Sequence, residues 1–216
     1  MSKAEKKALE SRSYSFEIRA EENEDKANII TGRPIVYDSR TDIDGLFEEV
    51  IEKGALKNTD LTDVRFLVNH DISKIPLARS RKNTKNSTMQ LIADDDGLGI
   101  RVTLDTENNT EARNLYSAIK RGDITGMSFM FGIDNEEWEN LDTDYPTRHI
   151  KSISTVVEVS AVTFPAYEST SITTARNKSA LENARHAVDT ARKKSVDTDK
   201  LKLALLKEKS KLLGGI

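Results

Sequence analysis

The sequence predicts a mainly β chain with helices attached, an α+β fold of barrel or sandwich type, followed by a helical C-terminal tail. Three observations predict it. Short apolar runs of period two recur between clusters of Asp, Asn, Gly and Pro, the pattern of many half-buried strands joined by turns. One capped amphipathic helix interrupts them, and Lys178 to Leu213 contains no Gly or Pro while being dense in Ala, Leu and Lys. At 216 residues and 24.2 kDa the chain has room for one ordinary domain and an appendage.

Met1 to Arg12, mostly Lys, Glu, Ala and Ser, buries little and is expected to be a loose arm. From Ser13 the alternation of Tyr14, Phe16, Ile18 and Ala20 predicts a strand, and Glu21 to Asp25 a turn. Asn28 to Tyr37 reads as a strand interrupted near Gly32 and Pro34. Phe47 to Leu56 fits either a strand or a short helical turn ending at Gly54. Val64 to Val68 is a strand that runs directly into Asn69, His70 and Asp71. Thr88 to Ala93 and Leu98 to Leu104 flank Asp94-Asp95-Asp96-Gly97, whose residues tolerate the positive φ of a hairpin turn.

Asn109 to Arg121 is the helix of the body, with Thr110 as cap, Glu111 at the positive end of the dipole, Leu115, Ala118 and Ile119 on one face, and Gly122 as its stop. Gly126 to Ile133 and Ile150 to Phe164 are strands on either side of an acidic loop around Trp138. The tail places Leu181, Ala184, Val188 and Ala191 at helical spacing, with a second cluster at Leu201, Leu205, Leu206, Leu212 and Leu213, and reads as a partly docked helix. The expected division is an arm over 1–12, a folded domain over 13–176 and a basic helical tail over 177–216.

Composition excludes several function classes. Charged residues make up 32% and hydrophobic ones 37%, with a mean hydropathy of −0.56. No apolar run reaches the ~20 residues of a membrane span and the first residues are charged, so neither a membrane helix nor a secretory signal is expected, and the chain is expected to be intracellular where it is made. With no Cys, disulfides, thiolate metal sites and cysteine nucleophiles are ruled out. The body carries 23 basic and 31 acidic side chains and the stretch from Lys178 carries 10 and 5, so nucleic acid is not the expected principal ligand. Neither a phosphate-binding Gly loop nor an HExxH pattern occurs, and the turn itself accounts for Asp94-Asp95-Asp96.

Three residues stand out chemically, and each also has a plain structural reading. His70 ends a strongly apolar strand, where a rigid element delivers a side chain to the edge of the core. Ser128 sits among Met127, Phe129 and Met130 with glycines at 126 and 132, and a buried hydroxyl there needs a partner. Glu158 places a carboxylate inside the apolar run Val156 to Val162, either on a solvated face or held by a partner. Together they are the parts of an activated-serine site: a nucleophile, an imidazole base, and a carboxylate to orient the base. The other histidines, His149 and His186, have ordinary surroundings.

Five stretches in order, FEEVIEKGAL, VRFLVNHD, ADDDGLGIRVTL, AIKRGDITGMSFMF and VVEVSAVTFPAY, resemble the prohead (capsid-maturation) serine proteases of tailed bacteriophages of the HK97 type. The likeness spans about Ser13 to Arg176. It implies a serine endopeptidase with a β-barrel wrapped by helices, like the herpesvirus assembly proteases. By motif, His70 is implied as general base, Ser128 as nucleophile and Glu158 as the third member, with His149 as an alternative because the herpesvirus enzymes use a second His.

The resemblance further implies, as substrate and partner, the scaffolding region of the major capsid protein, cleaved inside the immature prohead in the host cytoplasm. Cleavage of the enzyme's own ends and self-association also follow from it; a cofactor, a metal, a specific nucleic acid or a membrane does not. Backbone N–H groups near Ser128 and the segment Val162 to Tyr167 are candidates for the oxyanion donors. The competing expectation is a catalytically inactive scaffolding or assembly factor that keeps the protease fold.

Overall fold

The computed structural model describes residues 9–14, 18–22, 28–163 and 175–213. In chain order the strands are β1 (Leu9–Tyr14), β2 (Ile18–Glu22), β3 (Asn28–Val36), β4 (Arg40–Ile43), β5 (Phe47–Ile51), β6 (Asp63–Val68), β7 (Ala78–Arg81), β8 (Met89–Asp94) and β9 (Gly97–Leu104). Helix α1 (Thr110–Arg121) precedes the two longest strands, β10 (Gly126–Glu139) and β11 (Thr147–Val162), and α2 (Ala175–Leu213) forms the tail.

Two sheets form. The larger, of seven strands, runs β1-β10-β11-β5-β4, with β6 on β11 and β7 on β6; the smaller runs β2-β3-β9-β8. β11 is long enough to take two parallel neighbours in succession, β5 along Thr147 to Ile150 and β6 along Glu158 to Ala161. Among the described residues the larger apolar core lies between the sheets and α1, built on Ile30, Leu98, Met89, Phe66, Phe129 and Val159, and a smaller cluster gathers around Ile43 and Phe47. Among the described residues no helix is long and apolar enough to cross a membrane.

The mixed α+β, mostly-strand character matches the sequence reading, but the barrel does not. Among the described residues the pairing closes no barrel: the larger sheet ends at β1, β4 and β7, and the smaller at β2 and β8. Period-two alternation reports which side chains face a core and carries no information on whether edge strands meet. The alternation from Ser13 to Ala20 likewise spans two strands in different sheets, β1 and β2, because a pattern of faces does not register a change of sheet. Of the stretch expected to be a loose arm, residues 1–8 lie outside the described residues, while Leu9 to Arg12 are part of β1, which pairs antiparallel with β10. The segment around Trp138 belongs to β10 rather than to a loop.

Other elements follow their local chemistry. The Asp-Gly hairpin joins β8 and β9, and Asp94 Oδ1 accepts the N–H groups of Asp96 and Gly97, the turn role expected of it. Arg33 holds the same carboxylate with two further bonds, keeping it ionised well below the usual carboxylate range. α1 is capped by Asn109, not Thr110, with Asn109 Oδ1 accepting from Glu111 N–H and Ala112 N–H. It ends at Gly122 in left-handed backbone. In α2, Ala184 and Val188 pack on Ile43 and Phe47, and Arg192 donates to the Leu141 and Thr143 carbonyls, while Leu201, Leu205 and Leu206 are exposed. Leu212 and Leu213 have side chains outside the described residues.

At Gly97 the β9 backbone passes close to that of β3. Its φ is +138°, and a Cβ there would stand 2.1 Å from the Ile35 carbonyl oxygen. Gly97→Ala therefore needs main-chain movement and is expected to destabilise the fold by about 3 kcal/mol or more. Gly122→Ala, with positive φ but open space around it, is expected to cost only about 1 kcal/mol. Chemical denaturation of both variants checks this, and equal losses would contradict the close-approach account.

Candidate active site

The three singled-out side chains come from neighbouring strands of the larger sheet. β10 carries Ser128, β11 beside it carries Glu158, and β6, on the far side of β11, ends two residues before His70. Ser128 is directly opposite Ser160 across the β10–β11 pair. Glu158, two residues from Ser160, projects from the same face.

β6 runs parallel to β11 with Val68 beside Ala161, and continued straight it would pass the site. Instead Asn69 and His70 both take left-handed backbone, with φ of 52° and 58°. That conformation costs a non-glycine residue roughly 1–2 kcal/mol, and Asn and His accept it more readily than most. The Asn69 side chain offsets the cost: its Oδ1 accepts the Thr163 N–H at 2.9 Å and its Nδ2 donates to the Thr163 hydroxyl at 3.0 Å. The Asn69 backbone N–H donates to the Ala161 carbonyl at 2.9 Å. The double turn brings the imidazole back across β11.

A continuous hydrogen-bonded chain results. His70 Nδ1 contacts Glu158 Oε1, and His70 Nε2 lies 2.5 Å from Ser128 Oγ. Ser160 fixes the arrangement from below, accepting the His70 backbone N–H at 3.1 Å and donating to Glu158 Oε2 at 2.6 Å. The carboxylate partner assigns a proton to Nδ1, which directs Nε2 at the hydroxyl. Ser160 does not stand out in the sequence, although its place two residues after Glu158 in the alternating run is a usable signal.

Ser128 is completely buried, and β1 is what covers it. Ser13 pairs opposite Ser128, the Ser128 hydroxyl lies 2.7 Å from the Arg12 carbonyl oxygen, and Ser11 Oγ is 3.1 Å from His70 Nε2. One hydroxyl proton faces two acceptors. Directed to Nε2 it leaves Oγ ready to attack; directed to the Arg12 carbonyl it holds that group against the oxygen.

Beside this chain lies a buried ionic cluster that the sequence did not reveal. Arg12 grips Glu49 with two bonds of 2.6 and 2.8 Å, and Arg148 donates to Glu49 at 3.2 Å, to Glu10 at 2.8 and 2.9 Å, and to Glu136 at 2.8 Å. Burial alone would raise the Glu10 carboxyl, but Arg12 and Arg148 outweigh it and hold it down at about 2.

The remaining candidates are elsewhere. His149, nine residues before Glu158 on β11, pairs with Glu52 and Glu139, and the carboxylate next to His70 is that of Glu158. His186 lies on α2 near Thr190. Of the segment considered for oxyanion donors, Phe164 to Tyr167 lie outside the described residues. Among the described residues no cluster of His, Asp and Glu is arranged to hold a metal ion.

Comparison with known proteins adds the family context. The family model described as Caudovirus prohead serine protease matches residues 14–185. The prohead protease of Enterobacteria phage HK97 is 28% identical over 163 residues, covering 74% of this chain and 65% of that protein, so the chain spans just under two thirds of its length. Among solved structures, the capsid assembly protease of bacteriophage T4 aligns with a TM-score of 0.43 at 12% identity, over 74% of this chain and 99% of that one.

The left-handed turn generates a direct test. Asn69→Val must fight both the positive φ and the loss of the Thr163 bonds, and is expected to cost about 3 kcal/mol, whereas Asn69→Gly loses only the bonds, about 1–2 kcal/mol. Denaturant unfolding measures the difference; a valine variant as stable as the glycine one would show that the turn does not depend on left-handed backbone.

Proposed function

The chain belongs to the Caudovirus prohead serine protease family, and from that premise we propose that it is a serine endopeptidase of capsid maturation. Its substrate in this reading is the scaffolding region of the major capsid protein, and its place of action is the immature prohead in the host. The observation that carries the reading is the unbroken hydrogen-bonded chain from Glu158 through His70 to Ser128. Family membership supports a kinship with the herpesvirus assembly proteases, without their closed barrel among the described residues.

The chemistry follows from the geometry. Ser128 Oγ attacks the scissile carbonyl carbon while His70 Nε2 takes its proton. The imidazolium so formed is stabilised through Nδ1–H by the Glu158 carboxylate. His70 then protonates the leaving amine, and the same base activates the water that hydrolyses the acyl-enzyme. Ser160 and the Asn69–His70 turn act as positioning groups, holding the carboxylate and ring so that no rearrangement is needed when charge develops.

Coexpression with the cognate capsid protein, read by intact mass, tests the roles. Ser128→Ala and His70→Ala are expected to reduce cleavage by about 10⁶-fold, and Glu158→Gln by about 10⁴-fold, because removing the orienting group leaves nucleophile and base in place. Folding and shell assembly should persist in Ser128→Ala. Cleavage that continues unchanged in Ser128→Ala would remove the nucleophile assignment, and a wild-type chain that assembles shells without cutting anything would favour the inactive assembly factor.

A further inference from the structure

The segment lying over the nucleophile has the form of a substrate. β1 adds to the edge of β10 as an extended antiparallel strand, the mode by which sheet edges take up peptides. Its register sets Ser13 opposite Ser128 and brings the Arg12 carbonyl oxygen to 2.7 Å from the Ser128 hydroxyl. The bond at the nucleophile is therefore the one between Arg12 and Ser13.

The side chains of the same segment meet a matching cavity. Arg12 is 5% exposed, and its guanidinium makes a bidentate pair with Glu49, itself 1% exposed, with the Phe131 ring 5.8 Å from the guanidinium carbon. Glu10, two residues earlier and so on the same face of the strand, receives two bonds from Arg148. Without β1, Glu49 would keep Arg148 as its partner and Arg148 would keep Glu136, leaving places for one more cation and one more carboxylate. A fully buried acid in such a pocket discriminates strongly, because a neutral side chain strands the charge.

Beyond the cleavage of its own ends that the resemblance already implies, we propose which bond is cut and what selects it: β1 is held at the Arg12–Ser13 bond. Glu49 is the specificity-determining residue, selecting arginine immediately before the scissile bond, and Arg148 selects an acidic residue two positions earlier. This inference rests on the serine-protease reading above. In the step itself, Ser128 Oγ bonds to the Arg12 carbonyl carbon and gives its proton to His70. The Arg12–Ser13 C–N bond breaks, and that proton passes to the Ser13 amine. Water then hydrolyses the acyl-enzyme, leaving an Arg12 carboxylate, a free Ser13 N-terminus and Ser128 restored. Loss of residues 1–12 uncovers the nucleophile for the capsid-protein substrate.

The test follows the purified full chain by intact mass and N-terminal sequencing, with capsid-protein cleavage measured in parallel. Wild type is expected to acquire Ser13 as its N-terminus, and Ser128→Ala to keep residues 1–12. Arg12→Gln is expected to slow the cut at least ~100-fold in an otherwise native chain. In a Glu49→Gln background the same Arg12→Gln change is expected to alter the rate by less than ~10-fold, a loss of discrimination that a merely structural ion pair would not produce. Cutting at another bond, an arm retained by a chain that cleaves capsid protein, or Arg-to-Gln discrimination independent of Glu49 would each overturn the inference while leaving the protease reading intact. A wild-type chain that cuts neither its arm nor capsid protein would instead overturn the reading beneath it.

Discussion

The site depends on a backbone constraint: β6 must stop being a strand at Val68. β11 separates β6 from β10, so an extended β6 could not bring a side chain to Ser128. Two successive left-handed residues reverse the direction at the cost of backbone strain, and bonds to Thr163, Ala161 and Ser160 hold them there. The imidazole then has no freedom to search, because its backbone, its Nδ1 and its Nε2 are each engaged. Strain at such a position is characteristic of functional sites, where surrounding structure over-determines a costly conformation.

The second organising interaction is the burial of opposed charge beneath β1. Desolvating Glu49, Arg148 and Arg12 is expensive, and such clusters persist only where geometry satisfies every donor and acceptor; removing one partner typically costs about 3–5 kcal/mol because the others are left uncompensated. Here one of the partners arrives on a separate strand at the sheet edge. A charge supplied by an edge strand is suited to recognition as much as to stability, and it links what covers Ser128 to what the neighbouring pocket can select.

Much of this was legible in the residues. Apolar runs placed β6 and β10, alternation placed β11, the Asp-Gly turn placed the β8–β9 hairpin, and Gly122 ended α1. His70, Ser128 and Glu158 were conspicuous because each put a polar group where the pattern called for apolar ones. Their meeting was not legible, since it depends on strand order and on the turn at Asn69, which local propensity leaves undetermined. Ser160 was hidden for a similar reason: a serine in a strand is unremarkable until its neighbours across the sheet are known. β1 and its ionic partners were invisible because Leu9 to Arg12 look like the charged arm before them, and Glu49 like a surface residue of an edge strand. Only tertiary pairing converts those charges into a buried network. The missing barrel belongs to the same class, since closure is a property of edges rather than of faces.

The central claim is that His70 is oriented by Glu158 toward Ser128. Nitrogen-15-resolved NMR of the imidazoles tests it most directly, and with only three histidines in the chain the signals can be assigned by substitution. The account predicts a strongly deshielded proton on His70 Nδ1 that moves when Glu158 is replaced by Gln. A His70 ring carrying its proton on Nε2 alone, unresponsive to Glu158, would contradict it.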